Sequence, residues 1–569
     1  MTESKNVRMS MSVRFGAFEV DLEGRRLLKK GVPIILREQS FQVLTALMER
    51  PGEIVTREEL RRRLWSSDTF VDFEVALNSA VSRLRDALGD SPNSPSFIET
   101  IPKRGYRFVA PIPKHPAVAV MPFVNQTADA KDEYFSDGLT DELIRVLSRI
   151  DGLRVTAPSL VFRFKGQPRD ARQVGRELGV EAVLEGSVWR SGGRIRVTVN
   201  LVGVKDGFNL WAQRFDGTLA DVFNIQDQVC AAAAEALHVR FAVQVPQSRP
   251  KNLTAYVQYL KGWHLMKRRR PNDVRRAFEY LQDAIRLEPG YVEPYNGAAM
   301  YYIVSSVFGA LPPRSALPEA EDLIAKGLAL DANSVMLHAV MGMLRMFQWR
   351  WAESEQAHRH AMSLEPENAF SHLMYPILCS MLGRHDEAVA HAAKAVELDP
   401  LDLMTNFRLL QANYYARRYD EAIRTGRIAV ELTPDSPYSF FYLALALAAM
   451  GLNDEAWNIA NKGKDLNDGL PLGEGYFGYL MGTLGHTDEA RCVIADLQAR
   501  RENGYAPALP IAWTYLGLGE TAAALDWLET ALAERDPFLG SLMVFPAYDA
   551  IRDRPEFRRL AHELKLSAQ

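Results

Sequence analysis

The chain has 569 residues, too many for one ordinary core; at roughly 150 residues per domain it should hold about three to four domains, and a single enzyme domain is a poor fit. Hydrophobic residues at 47% and charged residues at 24% are ordinary for globular protein and exclude wholesale disorder or a coiled-coil rod. Lys+Arg 67 against Asp+Glu 71 leaves a net charge of −4, so any nucleic-acid signal has to be local.

The first region runs to Pro113 (1–113). Short alternating stretches, Val13 to Val20 and Arg26 to Lys29, precede helical patterns over Glu38 to Glu49, Arg57 to Trp65 and Val75 to Leu88, and Phe97 to Val109 reads as a hairpin. Strands, three helices and a terminal hairpin make a winged helix-turn-helix. Thr56 is placed to cap the second helix, with Glu59 three residues on completing a capping box. Leu77, Val81, Leu84 and Leu88 recur at i, i+4, i+7 and i+11 as a buried stripe, which turns Ser79, Ser82, Arg83 and Asp86 outward. The region carries 18 basic against 15 acidic side chains, a net of +3 that leaves −7 for the rest.

Four stretches carry a resemblance: Leu36-Arg37-Glu38-Gln39-Ser40-Phe41-Gln42-Val43-Leu44, Val55-Thr56-Arg57-Glu58-Glu59-Leu60, Asn78 to Leu88, and Ile101-Pro102-Lys103-Arg104-Gly105-Tyr106-Arg107-Phe108. They resemble the OmpR/PhoB-type winged-helix DNA-binding domain, in the variant of CadC- and ToxR-like activators. The resemblance implies a recognition helix over 75–88 in the major groove of double-stranded DNA and a wing over 97–109 reaching the neighbouring minor groove. On the family pattern Asn78, Ser79, Ser82 and Arg83 fall where base edges are contacted, and an arginine there can pair bidentately with guanine. Arg57, Trp65 and Arg85 fall at phosphate positions. Lys103 and Arg104 occupy the wing turn, where a narrow minor groove attracts cations. The chain departs from the Arg-Gly-x-Gly-Tyr wing at Pro102, which stands in place of the first arginine.

The middle region, 116–245, reads as a small α/β or α+β domain. Ala117 to Phe123 is a buried strand, Glu133 to Ile150 an amphipathic helix and Leu153 to Ala157 a strand; Asp170 to Leu178 is helical. Ala182 to Trp189 and Ile195 to Val204 alternate around Ser191-Gly192-Gly193 as a hairpin, followed by a strand at Asn209 to Phe215 and a helix at Val222 to His238. Ala119-Val120-Met121-Pro122-Phe123, Tyr134 to Leu143, Gln173 to Val180, Glu185-Gly186-Ser187-Val188 and Leu210-Trp211-Ala212 resemble the FlgO/TolB-type domain. Asp137 and Asp141 lie four apart on the helix, but early helical turns favour acids anyway, so the pair is not read as catalytic.

The remainder repeats itself. Leu364-Glu365-Pro366, Leu398-Asp399-Pro400 and Leu432-Thr433-Pro434 stand 34 residues apart, with Ala361, Ala395 and Ala429 in the same register and Ala388, Ala422, Ala456 and Ala490 as a second series. That period is the tetratricopeptide signature: paired helices approach closely only where alanine or glycine leaves room, and proline ends the second helix. About eight helix pairs fit 252–537, with an insertion around Phe308 to Ser315, and 538–569 is expected to cap the stack. The family implication is an all-α solenoid whose groove holds a protein or peptide partner, the transcription machinery among the candidates. Asn406, Asn413 and Arg345 are polar candidates for its concave face, with ordinary solvation the reading for each and none named as a binding residue.

Other signals are set aside. Gly473-Glu474-Gly475-Tyr476-Phe477-Gly478 matches GxGxxG but lies inside a helical repeat, where packing explains it. His358 and His360, two apart on a helix, point to different sides and make a poor metal pair, and Lys267-Arg268-Arg269-Arg270 reads as a solvated turn. Cys230, Cys379 and Cys492 lie too far apart in sequence for a disulfide framework or a CxxC motif, which fits a reducing cytoplasm. The opening MTESKNVRMSMSVRFG lacks the apolar core of a signal peptide, and the most apolar run, Tyr438 to Met450, is shorter than the roughly 20 residues a membrane helix needs. The expectation is a multidomain, non-enzymatic, cytoplasmic transcriptional regulator without cofactor, metal or membrane partner, self-associating on DNA. Two alternatives stand beside it: a scaffold whose winged helix contacts protein, and a nucleotide-sensing middle domain.

Overall fold

In a computed structural model the described residues are 12–15, 18–21, 25–29, 32–64, 73–110, 116–127, 132–150, 152–167, 170–191, 193–237, 239, 249–268 and 271–566. The chain divides into two units, residues 1–115 and 116–569.

In the first unit β1 (Ser12–Phe15), β2 (Phe18–Asp21), β3 (Arg26–Lys29) and β4 (Val32–Ile34) pair antiparallel in that order. The alternating run Val13 to Val20 is thus two strands, with Phe15 opposite Phe18, their rings stacked at 5.6 Å and Phe97 edge-on to both. Three helices follow, α1 (Glu38–Met48), α2 (Arg57–Leu64) and α3 (Phe73–Leu88), with β5 (Ile54–Thr56) between the first two. The terminal hairpin, β6 (Ile98–Ile101) and β7 (Gly105–Phe108), joins β5 in the order β5-β7-β6. Phe41, Leu44, Leu47, Leu60, Leu77, Val81 and Leu84 fill the core between them. This is the winged helix-turn-helix arrangement.

The second unit begins with a mixed sheet. β8 (Ala117–Val120) lies between β10 (Arg154–Val155) and β11 (Ala182–Ser191), parallel to both; β9 (Val124–Asn125) also pairs β11; β12 (Arg194–Gly203) and β13 (Asn209–Thr218) extend it antiparallel. Helices α4 (Glu133–Leu147), α5 (Pro158–Phe162), α6 (Ala171–Leu178) and α7 (Val222–Ala236) complete it.

Paired helices then run from α8 (Leu253–Arg268) and α9 (Pro271–Leu287) through α10 (Glu293–Val307), α11 (Pro313–Leu330), α12 (Val335–Phe347), α13 (Trp351–Leu364), α14 (Ala369–Met381) and α15 (His385–Leu398). They continue as α16 (Leu403–Tyr415), α17 (Tyr419–Leu432), α18 (Pro437–Ala449), α19 (Asn453–Leu466), α20 (Pro471–Thr483), α21 (Thr487–Glu502), α22 (Leu509–Gly517) and α23 (Thr521–Glu534). The alanines of both 34-residue series are completely buried, as close helix approach requires.

Two features lie beyond the periodicity. The core of the mixed sheet runs without a break into the repeats, since Tyr256, Tyr259, Leu260 and Leu281 belong to the same buried cluster as Phe135, Leu139 and Val183. Gly138 on α4 sits against Leu260 so closely that a Cβ would come within 2.6 Å of its Cδ2. The C-terminal segment, two 3-10 turns (Pro537–Met543, Pro546–Ile551) and α24 (Pro555–Glu563), does more than cap the last repeat. Phe545 packs its ring against Tyr414 and Tyr415 of α16, Tyr476 and Tyr479 of α20 and Trp513 of α22. Further back, Gly540 lies against Trp351 and Met381, and the Trp351 indole donates to the Leu564 carbonyl at 2.8 Å. The segment therefore lines the row of first helices from α12 to α22. Over this stretch the groove expected to hold a partner is filled by the chain itself.

Candidate nucleic-acid interface

The interface is assembled where α2, α3 and the wing meet. Thr56 and Glu59 form the expected capping box: the Thr56 backbone N–H donates to Glu59 Oε2 at 2.8 Å and the Glu59 N–H to Thr56 Oγ1 at 3.2 Å. The Thr56 backbone N–H, its hydroxyl and Arg50 hold the Glu59 carboxyl down at about 2. That fixes the start of α2 and with it Arg57.

On α3 the stripe Leu77, Val81, Leu84 and Leu88 is buried. The opposite stripe is Val75, Ser79, Ser82 and Asp86, at i, i+4, i+7 and i+11; Ser82 and Asp86 are exposed and Ser79 half-buried. Arg83 borders it and donates from Nη1 to Ser79 Oγ at 2.9 Å.

The wing-side flank of α3 holds Glu74, Asn78 and Arg85. Arg57 Nη1 donates to Glu74 Oε2 at 2.6 Å and to Asn78 Oδ1 at 3.1 Å, and its guanidinium lies 5.1 Å from the Tyr106 ring centroid. The Tyr106 hydroxyl donates to the same Asn78 oxygen at 2.8 Å; burial pushes this phenol up, which keeps it a donor.

Arg85, expected at a phosphate position, is only 8% exposed and donates to the Ile98 carbonyl at 2.7 Å and to Thr100 Oγ1 at 2.9 Å, pinning α3 to β6. Trp65 lies outside the described residues.

The wing turn is Pro102-Lys103-Arg104, all three exposed, closed by Arg104 N–H on the Ile101 carbonyl at 3.1 Å. Lys103 takes a left-handed conformation at φ 63°. Gly105 then passes flush against β5, where a Cβ would come within 2.1 Å of the Val55 carbonyl oxygen. The Arg57 N–H donates to the Arg104 carbonyl at 3.1 Å, so the wing turn and the start of α2 are one piece. Elsewhere on α2 the arginines are balanced, Arg63 by Glu49 and both Arg61 and Arg62 by Glu58. Sequence reasoning assigned no role to Glu74 or Tyr106; the one signal was that Tyr106 falls within the wing motif.

The set-aside signals have structural roles. Asp137 pairs with Lys165 at 2.5 Å and His264 at 3.4 Å, and Asp141 pairs with Lys267, so these carboxylates bind the mixed-sheet domain internally and to α8. Gly475 and Gly478 sit in α20 where a Cβ would come within 2.6 Å of Pro510 Cα and 2.3 Å of Thr514 Oγ1, which lets α20 meet α22. His358 is buried, its pKa driven down to about 3 by desolvation. Asn406 and Asn413 are buried and Arg345 is paired with Glu321 at 2.7 Å. Arg269 and Arg270 lie outside the described residues. Among the described residues no group of three or more metal-ligating side chains occurs, and no helix is long and apolar enough to cross a membrane.

Residues 31–108 match the family described as transcriptional regulatory protein, C terminal, and residues 114–232 match the second domain of HilA/YgeH-like transcriptional regulators. The chain is 22% identical over 420 residues to the transcriptional regulator HilA of Salmonella typhimurium, covering 70% of this chain and 73% of that one. It is 31% identical over 253 residues to a Rhizobium meliloti protein named "Putative adenylate cyclase 3", covering 43% of each, so the match spans under half of that relative. Among solved structures, the Klebsiella pneumoniae RstA DNA-binding domain in complex with the RstA box is 30% identical, covers 17% of this chain and 97% of that one, and gives a TM-score of 0.16. The chain thus joins an OmpR/PhoB-type winged helix over 31–108 to a HilA/YgeH-like domain over 114–232 and to tetratricopeptide-type repeats.

Proposed function

We propose that the chain binds promoter DNA sequence-specifically, with α3 in a major groove, Ser79, Ser82 and Arg83 towards base edges, Arg57 towards the backbone, and Lys103 and Arg104 over the adjacent minor groove. The observation that carries this reading is the polar outward face of α3, flanked by a wing turn whose two cations are exposed. The middle domain and repeats supply signal input or a protein-partner surface, with the transcription machinery as one candidate. Residues 537–566 fill the row of first helices, so a partner belongs on the outer faces of the repeats. One winged helix makes a small interface, and tight binding calls for two copies or tandem sites. The cytoplasm is the compartment that fits this role. A nucleotide-sensing middle domain has less support: the cavity bounded by Arg145, Arg249 and Tyr256, at the seam with α8, holds about 20 Å³, room for a water and far short of a nucleotide.

The test is to titrate the full-length chain onto duplexes selected from a random pool at about 50 to 200 mM salt. Discrimination over scrambled duplexes and a steep fall of affinity with salt are expected, and Arg83→Ala should cost about 1–3 kcal/mol of preference at one base pair. Salt-insensitive capture of protein, with no duplex preference, would support the scaffold instead.

A further inference from the structure

Asn78 stands where a base contact is expected, and its surroundings limit which groups it can meet. An asparagine that reads adenine uses both ends of its amide at once, the oxygen accepting from the adenine amino group while the nitrogen donates to the ring. Here the oxygen is occupied. Arg57 Nη1 and the Tyr106 hydroxyl both donate to Asn78 Oδ1, at 3.1 and 2.8 Å, which uses both of its lone pairs. The amide orientation is set by chemistry, because a guanidinium has no acceptor and so can face only the oxygen. What Asn78 presents outward is an NH₂ group alone.

Its place on α3 narrows the partner further. The outward stripe is Val75, Ser79, Ser82 and Asp86, whereas Asn78 shares the wing-side flank with Glu74 and Arg85 at i, i+4 and i+11. On that flank it adjoins the Arg57 cation at the first residue of α2, whose N–H is bonded to the wing turn. A donor-only amide can meet only an acceptor, and at the flank of a helix lying in the groove the acceptor within reach is a phosphate oxygen.

We infer that Asn78 is a backbone-positioning residue that donates to a DNA phosphate, held in that role by Arg57 and Tyr106, and that it does not read adenine. The inference rests on the DNA-binding reading. Glu74 accepts from the same Arg57 Nη1 at 2.6 Å, so recognition helix, α2 and wing are set by one hydrogen-bonded cluster.

The experiment uses full-length wild type, Asn78→Ala and Tyr106→Phe on the selected duplex, on duplexes altered at each base pair in turn, and on the duplex with ethylated phosphates. Asn78→Ala is expected to weaken all duplexes alike by about five-fold, one hydrogen bond of ordinary net worth, with base preferences unchanged and one phosphate no longer sensitive to ethylation. Tyr106→Phe, which keeps the ring, should move the same phosphate and leave the same preferences. Collapse of preference at a single A·T pair in Asn78→Ala overturns the inference, as does unchanged affinity. Failure of wild type to prefer any duplex would appear before any variant was compared, and would remove the DNA-binding reading itself.

Discussion

Asp536 sits at the joint between α23 and the C-terminal segment, 5% exposed, accepting the Phe538 N–H at 2.9 Å. A carboxyl that ionises near 3.8 in the open chain is pushed up to about 7 here by burial. The folded chain therefore holds that proton more tightly than the unfolded one. Its contribution is intact below about pH 4 and is lost as pH rises through about 7. Asn caps a helix as well as Asp and carries no charge. Asp536→Asn should thus be the more stable protein at pH 8, by up to about 4 kcal/mol, with the advantage gone near pH 4, as read from melting temperatures across that range. Parallel curves for the two proteins would show that the carboxyl stays ionised in the fold. At this scale the sequence was legible where local rules decide: the capping box and the buried stripe of α3 stand as expected. It was not legible where a side chain's partner comes from a distant strand. Arg83 and Arg85 look alike in sequence, yet Arg85 turns inward because the Ile98 carbonyl and Thr100 hydroxyl of β6 await it.

Among elements, the long periodic segments were readable, as were β3, the hairpin of β6 and β7, and β10, whereas several of the shortest strands were not. α1, α2 and α3 were anticipated within a residue or two over the described residues, while β4, β5 and β9 span only two or three residues and exist through their neighbours. The C-terminal segment is the larger case. Pro537, Pro546 and Pro555 break its periodicity, so its apolar residues announce burial without saying against what. Leu539, Leu542, Phe545, Tyr548, Ile551 and Leu560 are all essentially inaccessible. At roughly 1.5–3 kcal/mol for each large apolar side chain, their loss is comparable to the roughly 5–15 kcal/mol that holds an ordinary domain folded. A chain ending at Asp536 should lose the cooperative melt of its repeats and expose Tyr414, Tyr476 and Trp513, seen as dye binding and altered tryptophan fluorescence. An unchanged melt accompanied by new peptide capture would mean instead that the segment is a displaceable occupant of the groove.

For the whole molecule, the 34-residue period made the repeats plain, because buried alanines recur at fixed positions. The union of the middle domain with the repeats could not be read, since it depends on Leu260 meeting Gly138 and on Lys267 meeting Asp141 across more than a hundred residues. Composition hid the winged-helix end as well: α2 pairs Arg61, Arg62 and Arg63 with glutamates, and a domain net of +3 gives little warning. Specific recognition by the first unit is the central claim. Its most direct test is genome-wide recovery of DNA bound by the full-length protein in its own cells, beside an Arg83→Ala plus Arg104→Ala variant. Discrete sites, paired or in tandem, that vanish in the variant are the predicted result. Recovery no better than background in the wild type, or the same sites in both proteins, would contradict it.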